Sequence, residues 1–497
     1  MISRDKFDYL INLFDLGTST AEKDPLLPVA QIRTQQFHDL WMDRIDIVRG
    51  IKGAGKTALY RVFHLLSESL WQDENLFCIF GVEATGDPVF CNFRDYFARF
   101  SALDFEKFWT LYFLSLIRDS INRDKKLQAI ISNASEAENL EALWGSLDIP
   151  YERKSGLLGI VESIVRKFPS VRRIEPGVAV NHKLDGSTTY KPAMGIEFNE
   201  KQNTEKPRYI GDIRSILCSL LKAQKFRIWI MLDRLDEVFP RRSQEEENGL
   251  KGLLRAAYNL SEPELRIKVF LRDDIIEQLA TSQGGFTALT HVTDRASSTM
   301  RWAKETILRL IVKRAFSNVG MAQYFSINHE ALENDPNYRE KVFYGMLPKK
   351  IGKVSTLDWL MNVLSDGNGI VTPRDIIDLF NLAKAEEYND FQLNATDREY
   401  LISAKSLKSA LEQLSVEKRN KILMAEFPHK RDSILKLEGG YSIHSSQSLE
   451  KLFGADWKVV TNDLISIGLI KHDPKKGYYR IPKIWIKGLR ITQGQAK

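Results

Sequence analysis

The chain has 497 residues, 43% of them hydrophobic and 27% charged, with a formal net charge of +6. That length is about three times a typical domain and predicts two to four compact units, while the composition excludes fibrous and disordered classes. The longest apolar stretches, such as Ile228 to Leu232, are far shorter than the roughly 20 residues of a bilayer-spanning helix, so no membrane association is expected.

From the amino end, Met1 to Leu16 reads as an amphipathic helix and not as an export signal. Cysteines occur only at Cys78, Cys91 and Cys218, an odd number without paired spacing, which suits a reducing, cytoplasmic location. The eight histidines show no zinc-binding spacing, and no zinc is expected. Arg44 to Arg49 is a short Ile/Val strand, and Thr57 opens a helix on which Leu59, Phe63, Leu66 and Leu70 recur at helical spacing. Asn75 to Val82 is a second strand. A helical insertion follows at about 100–168; its aromatic residues at Phe105 to Phe113 sit at the helical spacing of a core. A β-hairpin excursion is expected at about 172–212, around the turn Leu184-Asp185-Gly186. Phe226 to Leu232 and Arg266 to Leu271 are continuous apolar runs, as parallel strands covered on both faces require. Glu245 to Leu260 between them is helical. The expected organisation is an α/β core over 1–299, a helical lid over 300–425 beginning with Trp302 to Phe316, and a winged helix over 430–497.

Charge is unevenly distributed. Residues 401–497 hold 18 Lys and Arg against 9 Asp and Glu, a surplus of +9, which leaves −3 on the remainder.

The strongest chemical signal is Gly50-Ile51-Lys52-Gly53-Ala54-Gly55-Lys56-Thr57, a complete phosphate-binding loop between a strand and a helix. Glycines let successive amides turn inward around a phosphate, and the helix N-terminus adds partial positive charge. Gly50, Gly53, Ala54, Gly55, Lys56, Thr57 and Ala58 are therefore the expected ATP-binding residues. Lys56 would reach the β- and γ-phosphates, and the Thr57 hydroxyl would ligate Mg²⁺. The metal also needs a carboxylate, expected on a neighbouring strand, and Asp233 at the end of Ile228 to Leu232 supplies it. Glu237 is the first choice for orienting the attacking water, and Asp236 the second. A guanine-specific Asn-Lys-x-Asp is absent, which favours ATP over GTP.

These motifs together resemble the STAND and AAA+ branch of P-loop ATPases, in particular bacterial single-chain forms with an Asp-x-x-Asp-Glu second motif and a C-terminal winged helix. The resemblance covers about residues 20 to 490. It implies a P-loop NTPase core with a parallel sheet, followed by a helical lid and a winged-helix domain. It also implies a γ-phosphate sensor at Arg272, the end of the strand Arg266 to Leu271, and a lid arginine at Arg374. The run Thr372-Pro373-Arg374-Asp375 is equally readable as an ordinary helix cap. Two features depart from the pattern: Asp233 lies 177 positions after Lys56, and position 234 is Arg where similar proteins often have a small residue. An arginine finger from a second subunit is implied, with Arg241, Arg242 and Arg255 as candidates.

The function so implied is an ATP-hydrolysing switch, attached in similar bacterial proteins to antiviral defence or signalling, working as a homo-oligomer with a partner or effector protein. The alternative is a DNA-associated ATPase of loader or initiator type that grips nucleic acid through its basic winged helix. Residues 471–497 hold eight Lys and Arg against one Asp. Trp457 to Leu469 would be the inserted helix, and Lys475-Lys476-Gly477 the wing tip.

Overall fold

The computed structural model describes residues 1–81, 97, 99–134, 136–146, 164, 171–182, 188–198, 210–235, 238, 243–281, 286 and 289–496, with backbone alone at 146, 171–182, 188–198 and 210–212. The fold is α/β: a parallel sheet, then a helical lid and a C-terminal winged helix. The chain divides into two compact units. One holds Gln35–Ile51 and Leu59–Thr299, the other Met1–Thr34, Lys52–Ala58 and Met300–Lys497.

The first unit is built on four parallel strands, β1 (Ile47–Gly50), β2 (Leu76–Gly81), β5 (Arg227–Leu232) and β6 (Leu265–Arg272), in the order β1-β6-β5-β2. Every residue of β5 from Ile228 onward is buried, as the uninterrupted apolar run requires of a strand covered on both faces. The outer edge of β1 is also occupied. Asp46 N donates to Arg295 O (2.7 Å) and Ser297 N to Ile47 O (2.8 Å), so the chain at 295–297 runs alongside it. The carboxylate-bearing strand β5 is thus not the neighbour of β1 that the sequence suggests: β6 lies between them.

Helices Ala102–Arg123 and Gln244–Leu260 pack closely. A Cβ on Gly252 would fall 2.5 Å from Phe105 Cβ and 2.6 Å from Glu106 N, so only glycine permits the approach. Phe105, Phe108, Trp109, Tyr112 and Phe113 are all fully buried, which makes this aromatic run core and not a stacking surface. Each such side chain contributes about 1.5–3 kcal/mol through burial. The Trp109 indole nitrogen donates to Gly249 O at 2.9 Å, which satisfies its polar end. Strands β3 (Val171–His182) and β4 (Thr188–Phe198) pair antiparallel as a hairpin; the turn at Leu184-Asp185-Gly186 lies outside the described residues.

At the amino end of the sheet, Lys268 on β6 has no solvent exposure. Its ammonium donates to Asp43 (2.5 Å) and Asp46 (2.7 Å), and lies 4.4 Å from the Trp229 ring centre. Burial pushes this ammonium below its ordinary range, against the pull of Asp46 and Asp43. Burial would likewise raise the Asp46 carboxyl, but Lys268 and Arg295 outweigh it and hold it below the usual carboxylate range. Removing one member of such a group leaves a buried charge unpaired, at a cost of about 3–5 kcal/mol. The cluster therefore locks the segment entering β1. Burial also pushes the thiols of Cys78 and Cys218 up to about 12, which leaves both as neutral packing groups at ordinary pH.

In the second unit the amino-terminal residues pack with the carboxy-terminal helices. Phe7, Leu10, Ile11, Phe14 and Leu16 share one buried cluster with Ile307, Ile311, Phe380 and Phe391. The Phe7 and Phe391 ring centres lie 4.8 Å apart with the planes tilted by 44°, and Arg314 NH2 donates to Asp24 at 2.6 Å. This grouping differs from a single 1–299 core, because the apolar face of helix Arg4–Leu13 meets lid helices. A two-residue hairpin, β7 (Lys350–Ile351) with β8 (Val354–Ser355), precedes helix Thr356–Leu364.

The winged helix comprises Arg431–Leu437, β9 (Tyr441–His444), Ser446–Phe453, Trp457–Ser466, β10 (Lys471–Asp473), β11 (Tyr478–Arg480) and β12 (Thr492–Gln495). Its sheet order is β10-β11-β9-β12. The Lys475-Lys476-Gly477 turn joins β10 to β11, with Gly477 at φ 67°.

Candidate functional site

The loop after β1 is shaped by glycine. Gly53 has φ 83° and Gly55 φ 102°, conformations in which a Cβ would be strained. Helix Lys56–Asp73 starts immediately afterward, and the first amides of any helix have no acceptor within it. A turn with left-handed glycines that feeds a helix start is a cradle for an anion. Ala54 is buried, and Lys56, Thr57 and Ala58 are half-buried.

Within the same unit the loop is flanked by lid residues. The Trp302 indole nitrogen donates to Ala54 O at 2.8 Å. A Cβ on Gly53 would stand 3.3 Å from both Arg374 Cβ and Thr372 Oγ1. Thr372 caps helix Pro373–Leu393: its hydroxyl accepts from Asp375 N at 3.2 Å and donates to the Asp375 carboxylate at 2.7 Å. The two readings of this segment are therefore compatible. Thr372 and Asp375 form the cap, and Arg374 stands on the first turn beside Gly53. Among the described residues none accepts a hydrogen bond from the Arg374 guanidinium. Lys52 pairs with the carboxylate of Glu426.

In the other unit, Asp233 follows the last residue of β5 and is 4% exposed. Arg234 adopts φ 57°, a left-handed conformation unusual for a side chain of this kind, so the departure noted at this position coincides with a sharp turn in the backbone. Leu235 and Val238 are buried in the core; Asp236, Glu237, Arg241 and Arg242 lie outside the described residues. Arg255, the remaining finger candidate, stacks its guanidinium over the Phe286 ring at 5.4 Å.

Arg272 ends β6 and is the register partner of Gly50. Its Nε and NH2 donate to the two Asp274 oxygens at 2.9 and 2.8 Å, so the guanidinium is engaged as a fork. The next residue, Asp273, was not singled out by sequence reasoning. Its Oδ1 accepts from Arg49 Nε (3.1 Å) and Thr299 Oγ1 (3.2 Å), while its Oδ2 is buried without a hydrogen-bond partner among the described residues. Arg49 N in turn donates to Ser297 Oγ at 3.0 Å. The residue just before the glycine loop is thus held from two sides. The only sequence signal was the pair of acids directly after a strand-ending arginine.

The structure therefore places Gly53 to Ala58 with Arg374 in one unit. It places Gly50, Arg272 and Asp233 at the carboxyl ends of strands of one sheet in the other. Among the described residues there is no cluster of three or more His, Cys, Asp or Glu suited to a metal.

No family model matches this chain, and no curated protein matches its sequence. Among solved structures the chain is similar to the ORC2 protein of Aeropyrum pernix in ADPNP–ADP complexes, at 11% identity and a TM-score of 0.40, covering 94% of this chain and 97% of that one. It is similar to the Aeropyrum pernix ORC1 protein in complex with DNA, at 10% identity and a TM-score of 0.34, covering 95% of each chain. Pyrobaculum aerophilum CDC6P matches at 11% identity and a TM-score of 0.28, covering 93% of each chain. Likeness at these TM-scores carries no functional argument, and the functional reading rests on this chain's own residues.

Proposed function

We propose that this chain is an ATP-binding and ATP-hydrolysing switch protein of the AAA+ type. The observation that carries this reading is the left-handed glycine turn at Gly53 and Gly55, running from β1 into the helix that begins at Lys56. Backbone amides from Gly53 to Ala58 bind the phosphates, and Lys56 neutralises charge between the β- and γ-positions. Thr57 and Asp233 are hard oxygen donors. That chemistry fits Mg²⁺, which binds few protein ligands and keeps water and phosphate oxygens for the rest. When bound, the ion would offset negative charge on the phosphates. Glu237, with Asp236 as second choice, holds the attacking water in line and accepts its proton. Arg272 contributes sensing of the γ-phosphate, provided that its fork to Asp274 opens.

Arg374 reads the γ-phosphate from the lid. Its place beside Gly53 supports this, as does the cap formed by its neighbours, which leaves the guanidinium available. Arg374→Ala is expected to weaken ATP binding by about 10-fold, the loss of one charge-assisted contact, with ADP affinity changed little. Calorimetry with each nucleotide checks this. Equal losses for both would mean that Arg374 only holds the lid together.

A second reading concerns the output. The winged helix exposes Lys458, Lys471, Lys475, Lys476 and Arg480. Among them His472 stacks on Tyr479 at 4.6 Å, and Arg480 lies 5.7 Å from the Tyr478 ring centre. Cationic groups interleaved with rings suit phosphate contact with adjacent bases or sugars. This favours the DNA-associated alternative over antiviral signalling, to which no described residue adds support. Homo-oligomerisation and an effector protein rest on the resemblance alone.

Fluorescence anisotropy with labelled duplex and single strands tests the nucleic-acid reading, together with ATP turnover measured with and without each. Binding is expected to be insensitive to sequence and to fall about 10-fold or more between low and physiological salt. Lys475→Glu with Lys476→Glu should abolish it. No binding at low salt, or binding unchanged in the double variant, removes nucleic acid from the account and leaves the ATPase assignment standing.

A further inference from the structure

A cavity of about 260 Å³ lies at the amino end of the parallel sheet, between the start of β6, the residue entering β1 and the carboxyl end of helix Gln244–Leu260. Arg266 on its wall precedes Arg272 by six residues on the same strand, which is about 20 Å at the rise of a β-strand. The cavity is therefore separate from the strand ends proposed to serve the nucleotide. Its buried side is apolar, with Leu254, Ile267 and Val269. Its exposed residues are Tyr258, His291 and Asp294.

The charged wall is unbalanced. Asp46 lines the cavity beside Arg266 and Arg295, but it and Asp43 are already taken. Lys268 donates to both carboxylates, and Arg295 Nε donates to Asp46 at 2.6 Å. Arg266 stands 3.7 Å from each of them, beyond hydrogen-bond range, and its Nε is buried without a hydrogen-bond partner among the described residues. Its side chain is only 17% exposed. Arg214, also on the wall, has a carboxylate of its own: its NH1 donates to Asn259 O at 2.6 Å and lies 3.7 Å from Glu262. Two carboxylates, Asp43 and Asp46, thus serve three cations, Lys268, Arg295 and Arg266. One positive charge is left over in a shielded place, where a charge is costly unless an opposite one meets it. A buried donor without an acceptor also calls for an explanation. Water would satisfy the donor and leave the charge.

We propose that this cavity is a binding site for a small, singly charged carboxylate that carries an apolar group, with Arg266 as its anchor. One negative charge restores the balance, whereas a phosphate dianion would exceed it and face Asp46 and Asp294. The planar guanidinium presents paired N–H groups that match the two oxygens of a carboxylate. Leu254, Ile267 and Val269 cover the attached apolar group. The volume falls just below the span of about 300–1,000 Å³ found for drug-sized ligands, as suits a molecule the size of benzoate. The site goes beyond the nucleotide reading and does not depend on it.

Benzoate is the probe, with benzamide as its neutral counterpart and inorganic phosphate as the competing anion, in calorimetric titrations of the full chain. Excess ADP is present throughout, to fill the proposed nucleotide site. Benzoate is expected to bind about 10-fold or more tightly than either comparison compound, the worth of a charge-assisted contact. Arg266→Met keeps the apolar stem and removes the charge. It should weaken benzoate by about 10-fold or more. Because it removes the surplus cation, it should also unfold, without benzoate, at a temperature no lower than wild type. Ala257→Leu enlarges a buried side chain of the cavity wall; it should block benzoate with Arg266 in place, and serves if Arg266→Met does not fold. No benzoate binding to wild type, binding that benzamide or phosphate equals, or binding undiminished in either folded variant overturns the proposal. So does an Arg266→Met protein that unfolds well below wild type, which would make Arg266 an ordinary member of the ion-pair cluster.

Discussion

Lys56→Ala is expected to abolish ATP binding at ordinary concentrations while the protein remains folded. On the proposed reading, Lys56 is the cation that would meet the β- and γ-phosphates. Truncating one partner of a desolvated charge pair costs about 2–5 kcal/mol, which is an affinity loss of about 10²-fold or more. The fold should survive, because Lys56 sits half-exposed at a helix start and does not contribute to the buried clusters. The turn is held instead by Gly53 and Gly55, by Trp302 on Ala54 O and by the Lys52–Glu426 pair. Calorimetric titration of the folded variant decides the matter. Unchanged affinity would overturn the central assignment and, with it, everything derived for the lid.

Glu237→Gln should leave ATP binding near that of wild type and slow hydrolysis by about 10²-fold or more, the usual contribution of a positioned general base. The substitution keeps size and hydrogen bonding and removes only the charge proposed to orient water. The ATP-bound form should then accumulate, which single-turnover measurements of bound ATP and ADP would show directly. Asp233 and the buried Leu235 and Val238 bracket the two acids in sequence. If Asp236→Asn is the slow variant and Glu237→Gln turns over normally, the role of base moves by one residue. If neither slows hydrolysis, the water is positioned from elsewhere, and Asp273, whose buried Oδ2 has no hydrogen-bond partner among the described residues, becomes the residue to replace next.

Much of this molecule is determined locally, and there the sequence alone suffices. The glycine spacing from Gly50 to Thr57 dictates a turn that only glycine can make and a helix start that follows it. The uninterrupted apolar run from Ile228 to Leu232, short and bounded by charged residues, has the pattern of a strand covered on both faces. Phe105 to Phe113 could be assigned to the core from their spacing alone, and Lys475-Lys476-Gly477 to a wing turn, because period and turn chemistry are properties of neighbouring residues.

What only the tertiary structure decided are the pairings between residues distant in the chain. Nothing in the run Leu265–Arg272 says that it enters the sheet between β1 and β5. Its place depends on Lys268, whose buried ammonium must meet Asp43 and Asp46. Nothing in Met1 to Leu16 says that its apolar face joins lid helices some 300 residues later. Lys52 and Glu426, and Arg49 and Asp273, are ordinary charged residues in sequence, distinguishable from solvated ones only by their burial. A long-range ion pair leaves no periodic trace in either partner's neighbourhood. Its strength comes from exclusion of water, and that exclusion arises only once the chain has closed around both groups.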